Sequence, residues 1–158
     1  MKRPIVLLTI SLMAFLLTSS ARADDVEDVK AAYARHIMLS RTGQAGPFVD
    51  QHLPGHSAFG PTGGMLTRYD SPEEEKKSRS QLRQPEYTSL ASVLRHLEVK
   101  VYGGAAVVTG YLQGPITLTD GSRRQGTRRV TAVWIKQGSQ WREVHDHMSP
   151  LIMALPAE

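Results

Sequence analysis

The first periodic segment of the chain has the pattern of an amphipathic helix. Asp24 or Asp25 can cap its start, and apolar side chains then recur at near-helical intervals, at Val26, Val29, Tyr33, Ile37 and Leu39. Gly43 and Gly46 interrupt this pattern, and Pro47 suits the first turn of a second helix. That short helix is predicted to carry Phe48, Val49 and Leu53.

Two short strands and a charged helix are predicted next. Ser57–Phe59 and Met65–Thr67 flank a turn rich in glycine and proline, which indicates a small hairpin. Ser71 and Pro72 then precede three glutamates, with basic residues further on. Acidic residues at the start of a helix and basic ones towards its end match the helix dipole. This charge run therefore predicts an exposed helix rather than a binding patch.

The second half of the chain has the two-residue period of β-strands. Apolar and polar residues alternate from Leu94 to Tyr102, before a glycine turn. The remaining strands are predicted over Ala105–Gln113 with Ile116–Thr119, Arg124–Lys136, and Trp141–Ser149. Helices followed by a long antiparallel meander predict an α+β domain with the helices on one face of the sheet.

One of these strands has two apolar faces. Its alternate positions are Val130, Ala132 and Trp134 on one face and Thr131, Val133 and Ile135 on the other. Both faces of such a strand are expected to be covered, and the helices can cover only one. A second copy of the chain is the simplest cover for the other, so we expect a homodimer through the convex side of the sheet.

Residues 1–23 are typical of a secretory signal peptide. Lys2 and Arg3 provide a positive start, Ile5–Leu17 an apolar run, and Ala21–Ala23 a small-residue cleavage site. The apolar run is shorter than the roughly 20 residues that span a bilayer. We therefore predict cleavage after Ala23, a single domain over residues 24–158, and a periplasmic or secreted location.

Charge and cysteine content narrow the possible partners. Removing Lys2, Arg3 and Arg22 from the 19 basic residues leaves 16 against 15 acidic ones, a net charge of +1. A nearly neutral domain does not suit nucleic acid, which requires a dense basic face. The chain has no cysteine, so its fold depends on its core rather than on disulfides. We expect neither nucleic acid nor, after cleavage, a membrane as partner.

Three stretches of the second half resemble a known superfamily. Val99–Gly110, Arg129–Trp134 and Trp141–Ser149 resemble the C-terminal half of nuclear transport factor 2-like (SnoaL-like) proteins. The ending Trp-x-x-Val-His-x-His-x-Ser also resembles the association domain of calcium/calmodulin-dependent protein kinase. The resemblance covers Glu98–Pro150 well and Asp24–Thr67 more loosely. It implies a curved antiparallel sheet wrapped around the N-terminal helices, with a cone-shaped cavity between them.

The resemblance also implies which side chains reach that cavity. The kinase domain directs the positions of Asp146 and Met148 into the cone, and it has cavity arginines where this chain has Tyr111 and Ala132. Without those arginines an uncharged or partly apolar ligand is expected rather than a strongly anionic one. The other expected ligand contacts are Trp134 in the wall, His56 and Phe59 near the mouth, and Tyr33 on a floor helix with His36 and His52.

Asp146 is the strongest candidate for acid/base chemistry. It alternates with Val144 and Met148 on an apolar face, where desolvation would raise the pKa of its carboxyl group towards the range of a general base. Tyr111, on a neighbouring strand, could donate a hydrogen bond to a developing oxyanion. A buried carboxylate can instead be merely paired, and Arg128 or Arg142 could be its partner.

The pair His145 and His147 is the other chemical feature of the last strand. On a strand the two imidazoles share a face, as two metal ligands would. A catalytic metal requires at least a third protein ligand, and none stands at suggestive spacing. We therefore expect these histidines to make hydrogen bonds on the outer face, and we predict no metal site and no cofactor.

Three functions remain open from the sequence. The first is an exported protein that binds a small molecule in a conical pocket, with its catalytic status undecided. The second is a cofactor-independent isomerase or hydro-lyase with Asp146 as general base. The third is a non-catalytic assembly module. The superfamily includes all three kinds of protein, so the resemblance alone does not separate them.

Overall fold

The computed structural model describes residues 24–60, 65–81, 93–117 and 122–151. The helices are α1 over residues 24–41, α2 over Ala45–Val49 and α3 over Pro72–Gln81. The strands are β1 (His52–Phe59), β2 (Thr67–Arg68), β3 (Val93–Tyr102), β4 (Ala105–Thr117), β5 (Arg123–Gln137) and β6 (Gln140–Pro150). None of the helices in these ranges is long and apolar enough to cross a membrane. The predicted signal peptide lies outside the described residues.

The six strands form one sheet in the order β2-β1-β6-β5-β4-β3. Strands β3 to β6 pair with their sequence neighbours as an antiparallel meander, which confirms the predicted α+β fold. Strand β1 departs from the expected antiparallel sheet because it runs parallel to β6. This pairing joins segments about 90 residues apart, and local periodicity carries no information about it.

The region after α2 differs from its prediction. Helix α2 ends at Val49, and Leu53 belongs to β1 rather than to that helix. Pro54 lies between His52 and Ser57, where the pairing of β1 with β6 is irregular. Proline has no backbone N–H, so it is tolerated at such an interruption of the ladder.

The core lies between α1 and one face of the sheet, which we call the inner face. Val29, Tyr33 and Ile37 of α1 are buried in one cluster with the inner-face residues Val108, Ala132 and Trp134. The α1 residues are spaced by four, so they share a helix face, and the strand residues occupy paired or alternate positions. The opposite side of the sheet is the outer face.

Strand β6 contains a bulge that changes which residues face the core. Val133 pairs with His145, but the next residue, Trp134, pairs with Glu143, so Val144 is an extra residue. A bulge of one residue exchanges the two faces of a strand beyond it. Glu143 on one side of the bulge and Asp146 on the other therefore both point towards the core.

The expected homodimer can be tested on the outer face of β5. Val133 and Ile135 are only partly buried within one chain, so a charge placed there should disrupt any subunit contact. We expect wild-type protein to have twice the monomer mass by light scattering, and Val133→Lys to be a folded monomer. Asp28→Lys on the exposed side of α1 is the control and should remain dimeric. A wild-type monomer at micromolar concentrations would contradict the prediction.

Candidate functional site

Five buried polar side chains meet beneath α1, and we call them the histidine–glutamate cluster. They come from α1, β1, α3 and β6, and each is at most 3 % exposed: His36, His52, His56, Glu75 and Glu143. Buried ionisable side chains are rare unless they are paired or bind an ion. This cluster is therefore the most distinctive chemical feature of the described residues.

Local structure accounts for the positions of the three imidazoles. His36 follows Tyr33 by three residues on the buried stripe of α1, and its ring packs 4.3 Å from that of Phe48. His52 and His56 are four residues apart on β1, so both point to the same side. Their rings stack at a centroid distance of 3.9 Å and an interplanar angle of 19°.

Glu143 lies at the centre of the cluster. Its Oε2 atom is 3.4 Å from Nε2 of His36, 3.4 Å from Nε2 of His52 and 3.5 Å from Nε2 of His56. These separations are longer than normal hydrogen bonds. Within the described ranges neither Glu143 oxygen has a hydrogen-bond partner, and the same is true of Nε2 of His52 and His56. An unsatisfied buried polar group costs about 1–3 kcal/mol, so the centre of the cluster suits a further positive group.

Glu75 forms the outer part of the cluster and, unlike Glu143, is well paired. Its Oε2 is 2.8 Å from Nδ1 of His52, and its Oε1 accepts a hydrogen bond of 2.7 Å from Arg79 one turn along α3. The expectation that the charge run forms only an exposed helix is therefore corrected. Its third glutamate faces the core, while the two before it are exposed.

Burial and charge shift the pKa values of the cluster in opposite directions. Burial lowers the pKa of His36 to about 4 and also lowers that of His52. Burial acts in the same sense on His56, but the carboxylates of Glu143 and Glu75 outweigh it and raise the pKa to about 9. Burial would raise the pKa of both glutamates, but the neighbouring imidazoles lower it, so both carry negative charge.

Asp146 lies on the inner face, opposite Ala132 on β5. Its Oδ1 atom is buried and has no hydrogen-bond partner within the described ranges, and Arg142 donates instead to the backbone carbonyl of Asp50. Burial, followed by the negative charge of Glu143, raises the pKa of the Asp146 carboxyl group well above its usual value. The carboxyl group of Asp146 therefore keeps its proton to a higher pH than an exposed aspartate would.

The predicted ligand contacts divide between the two faces of the sheet. Trp134 and Tyr33 are fully buried in the inner core, Met148 packs against it, and His56 belongs to the cluster. Tyr111 pairs with Arg129 on the outer face and is 37 % exposed. The expected pairing of Tyr111 with Asp146 is therefore corrected, because the sheet separates them. Phe59 is also exposed, and its ring lies 5.4 Å from that of His147.

His145 and His147 lie on the outer face. Nδ1 of His145 is 3.0 Å from the Ser57 hydroxyl, and His147 is exposed. No metal-type cluster within the described ranges includes either residue. They have the positions of surface hydrogen-bonding groups.

Sequence reasoning named three of the five cluster residues as cavity neighbours but did not recognise the cluster. His36 lies on the apolar stripe of α1, and that position in the sequence indicates a buried imidazole. Glu143 was missed because strict alternation puts it on the face opposite Asp146. Trp141 and Met148 are both apolar but stand at an odd and an even position of the same strand. They can face the core together only if the strand contains a bulge, and this was the signal in the sequence.

Two open grooves are formed by described residues. One, of about 670 Å³, lies between α1, α2 and the β5–β6 turn and includes Arg35 and Gln51. The other, of about 750 Å³, lies on the outer side around Arg95 and Tyr111. Asp146 lines neither groove, so the conical pocket around it stays a prediction.

Solved structures share this architecture at low sequence identity. A candidate dehydratase of the NTF2-like family from Streptomyces avermitilis has a TM-score of 0.69 at 19% identity, over 83% of this chain and 99% of that one. The CaMKII hub of S. rosetta has a TM-score of 0.66 at 21% identity, over 79% and 95%. A ketosteroid isomerase-like protein from Erwinia carotovora has a TM-score of 0.67 at 12% identity, over 82% and 98%. These similarities establish the fold alone.

A family model agrees with the fold and covers most of the chain. No curated protein matches the chain. The model for the SnoaL-like domain matches residues 25–153, which includes every strand and all of the helices except the first residue of α1. The chain therefore belongs to the SnoaL-like family of NTF2-like domains.

Proposed function

We propose that this chain is an exported domain that binds a small molecule against the inner face of its sheet, at Asp146. The observation that carries the proposal is the buried Oδ1 of Asp146, which lacks a hydrogen-bond partner within the described ranges. The hydroxyl group of Tyr33 is also buried without a partner there. Unsatisfied buried polar groups are unfavourable, so two of them on one face support a bound polar group.

The surroundings of Asp146 favour an uncharged, partly apolar ligand. Val130, Ala132 and Met148 provide apolar surface on the same face. Asp146 and Glu143 together would repel an anion. A ketone, an alcohol or an enone would place one oxygen near the polar atoms and its carbon skeleton on the apolar residues, as is usual for small-molecule sites.

A second candidate function is an isomerase or hydro-lyase, and the raised pKa of Asp146 favours it. A carboxyl group in this environment can remove a proton from carbon and return it elsewhere on the ligand. Tyr33 replaces Tyr111 as the hydrogen-bond donor in this mechanism. Burial, followed by the negative charge of Asp146, raises the pKa of the Tyr33 phenol, which therefore stays protonated and can donate.

Export rests on the sequence of residues 1–23, which has the three parts of a secretory signal. A periplasmic or secreted domain would meet its ligand outside the cytoplasm.

The binding proposal is tested by placing a bulky side chain on the inner face of the sheet, beside Asp146. The assay follows tryptophan fluorescence during titration with neutral ketones, alcohols and enones, each beside a carboxylate analogue. We expect neutral compounds to bind and their carboxylates to bind at least about tenfold more weakly. Met148→Trp should block binding, whereas Ser149→Trp, one residue further on the opposite face, should retain it. Equal binding by both variants, or none by folded wild-type protein, would contradict the proposal and favour an assembly module.

A further inference from the structure

We propose that His36, His52 and Glu143 form a binding site for a divalent first-row transition cation such as Zn²⁺. The three residues each offer one ligand atom, and these atoms lie within 4.8 Å of one another in the buried core. Two imidazoles and one carboxylate are a common ligand set of catalytic zinc and iron sites. This site goes beyond the small-molecule function proposed above, and its ligands do not include Asp146 or Tyr33.

The distances between the ligand atoms fit such an ion. With metal–ligand distances of about 2.0–2.1 Å, two ligands of a tetrahedral zinc ion lie about 3.4 Å apart. Nε2 of His36 and Nε2 of His52 are each 3.4 Å from Oε2 of Glu143. That spacing is too long for a good hydrogen bond and suits an ion between the atoms.

The hydrogen bond from His52 to Glu75 supports the same conclusion. A proton on Nδ1 of His52, donated to Glu75 at 2.8 Å, leaves a lone pair on Nε2. That lone pair then faces the carboxylate oxygen of Glu143, and two acceptors need a positive group between them. Metal-bound histidines usually donate their other N–H to a carboxylate, which is the role that Glu75 has here. Glu75 is thus a positioning residue, held in turn by Arg79.

The charges around the two glutamates identify Glu143 as the carboxylate that binds the ion. Arg79 already lies 2.7 Å from Glu75 and neutralises it. Glu143 instead has three imidazoles at 3.4–3.5 Å, those of His36, His52 and His56, and a neutral imidazole can share a metal ion with a carboxylate whereas the Arg79 guanidinium cannot. The proposed ligand atoms are nitrogen and oxygen, with no thiolate or thioether among them, which favours zinc, iron or nickel over copper(I).

His56 stands beside the site rather than in its first set of ligands. Its ring stacks on that of His52 with an interplanar angle of 19°. The in-plane lone pairs of two nearly parallel rings run side by side and do not converge on one ion. Three protein ligands leave a fourth coordination position open, as in catalytic rather than structural zinc sites.

The test measures zinc binding by the full chain, expressed with a tag that contains no histidine and stripped with a chelator. Wild-type protein is expected to retain about one Zn²⁺ per chain after dialysis, and zinc should raise its melting temperature by about 5 °C or more. Glu143→Gln should weaken binding by about 100-fold or more, and Glu75→Gln by about 10–100-fold. The melting temperature of Glu75→Gln is also measured in chelator. If it equals that of wild type, the weaker zinc binding reflects lost positioning of His52 rather than lost folding.

His147→Gln is the matched control, because it removes an imidazole from the outer face of the same strand. It should bind zinc within about twofold of wild-type affinity. The proposal is overturned if wild-type protein holds no stoichiometric zinc, or if His147→Gln loses as much affinity as Glu143→Gln. Should Glu143→Gln not fold, the Co²⁺-loaded wild-type protein decides: visible bands that Zn²⁺ abolishes support the site, and their absence rejects it.

Discussion

Replacing Trp134 with alanine is expected to lower the free energy of unfolding by about 3–5 kcal/mol. Trp134 is fully buried, and its ring packs edge-on against Tyr33 at 6.3 Å and His36 at 5.8 Å. Its removal would leave a cavity between α1 and the sheet that these neighbours cannot fill. For a domain of this size the melting temperature should fall by roughly 10–20 °C.

Tyr102→Ala is the control for this prediction. Tyr102 is also an aromatic residue on the sheet, but it is 61 % exposed. Its replacement should change the free energy of unfolding by about 0.5 kcal/mol or less. Urea denaturation of the two variants measures both values, and similar losses in both would show that Trp134 is not the centre of the core.

Asp146→Asn is expected to stabilise the protein at neutral pH, because it removes a carboxyl group whose charged form is disfavoured by burial. The folded state raises the pKa of this carboxyl group, so the folded protein holds the proton more tightly than the unfolded chain does. The stabilisation from that proton is complete below the unfolded pKa of about 3.9 and is lost as pH rises through the folded value. The neutral amide avoids this loss and should gain about 1–3 kcal/mol at pH 7.

The pH dependence of the free energy of unfolding tests whether the raised pKa of Asp146 causes the stability change. Denaturation with chelator present should show Asp146→Asn more stable than wild type at pH 7, with little difference near pH 4. Asp70→Asn removes an exposed carboxylate and should show neither effect. On any substrate found by the binding assay, Asp146→Asn should reduce turnover by about 10²–10⁴-fold. A less stable Asp146→Asn variant at pH 7 would instead indicate a buried cationic partner for the carboxylate.

Much of the secondary structure could be predicted from local patterns. The four-residue spacing in α1, the charge order in α3 and the alternation in β3 to β6 each depend on residues close in sequence. On β6 beyond the bulge, Asp146 and Met148 lie on the inner face, as the family resemblance implied. The expected cavity position of Tyr111 was wrong because it was taken from the resemblance alone. In the structure Tyr111 pairs with Arg129 on the outer face of the sheet.

The sequence by itself determined the class of fold and the order of its elements, because these follow from short-range periodicity, whereas the inner position of Asp146 was implied only by the family resemblance. Only the tertiary structure decided that His36, His52, His56, Glu75 and Glu143 form one cluster. Their meeting requires the parallel pairing of β1 with β6 and the bulge at Val144. Both features are set by packing between segments far apart in the chain, where a shift of one residue reverses which side chains are buried.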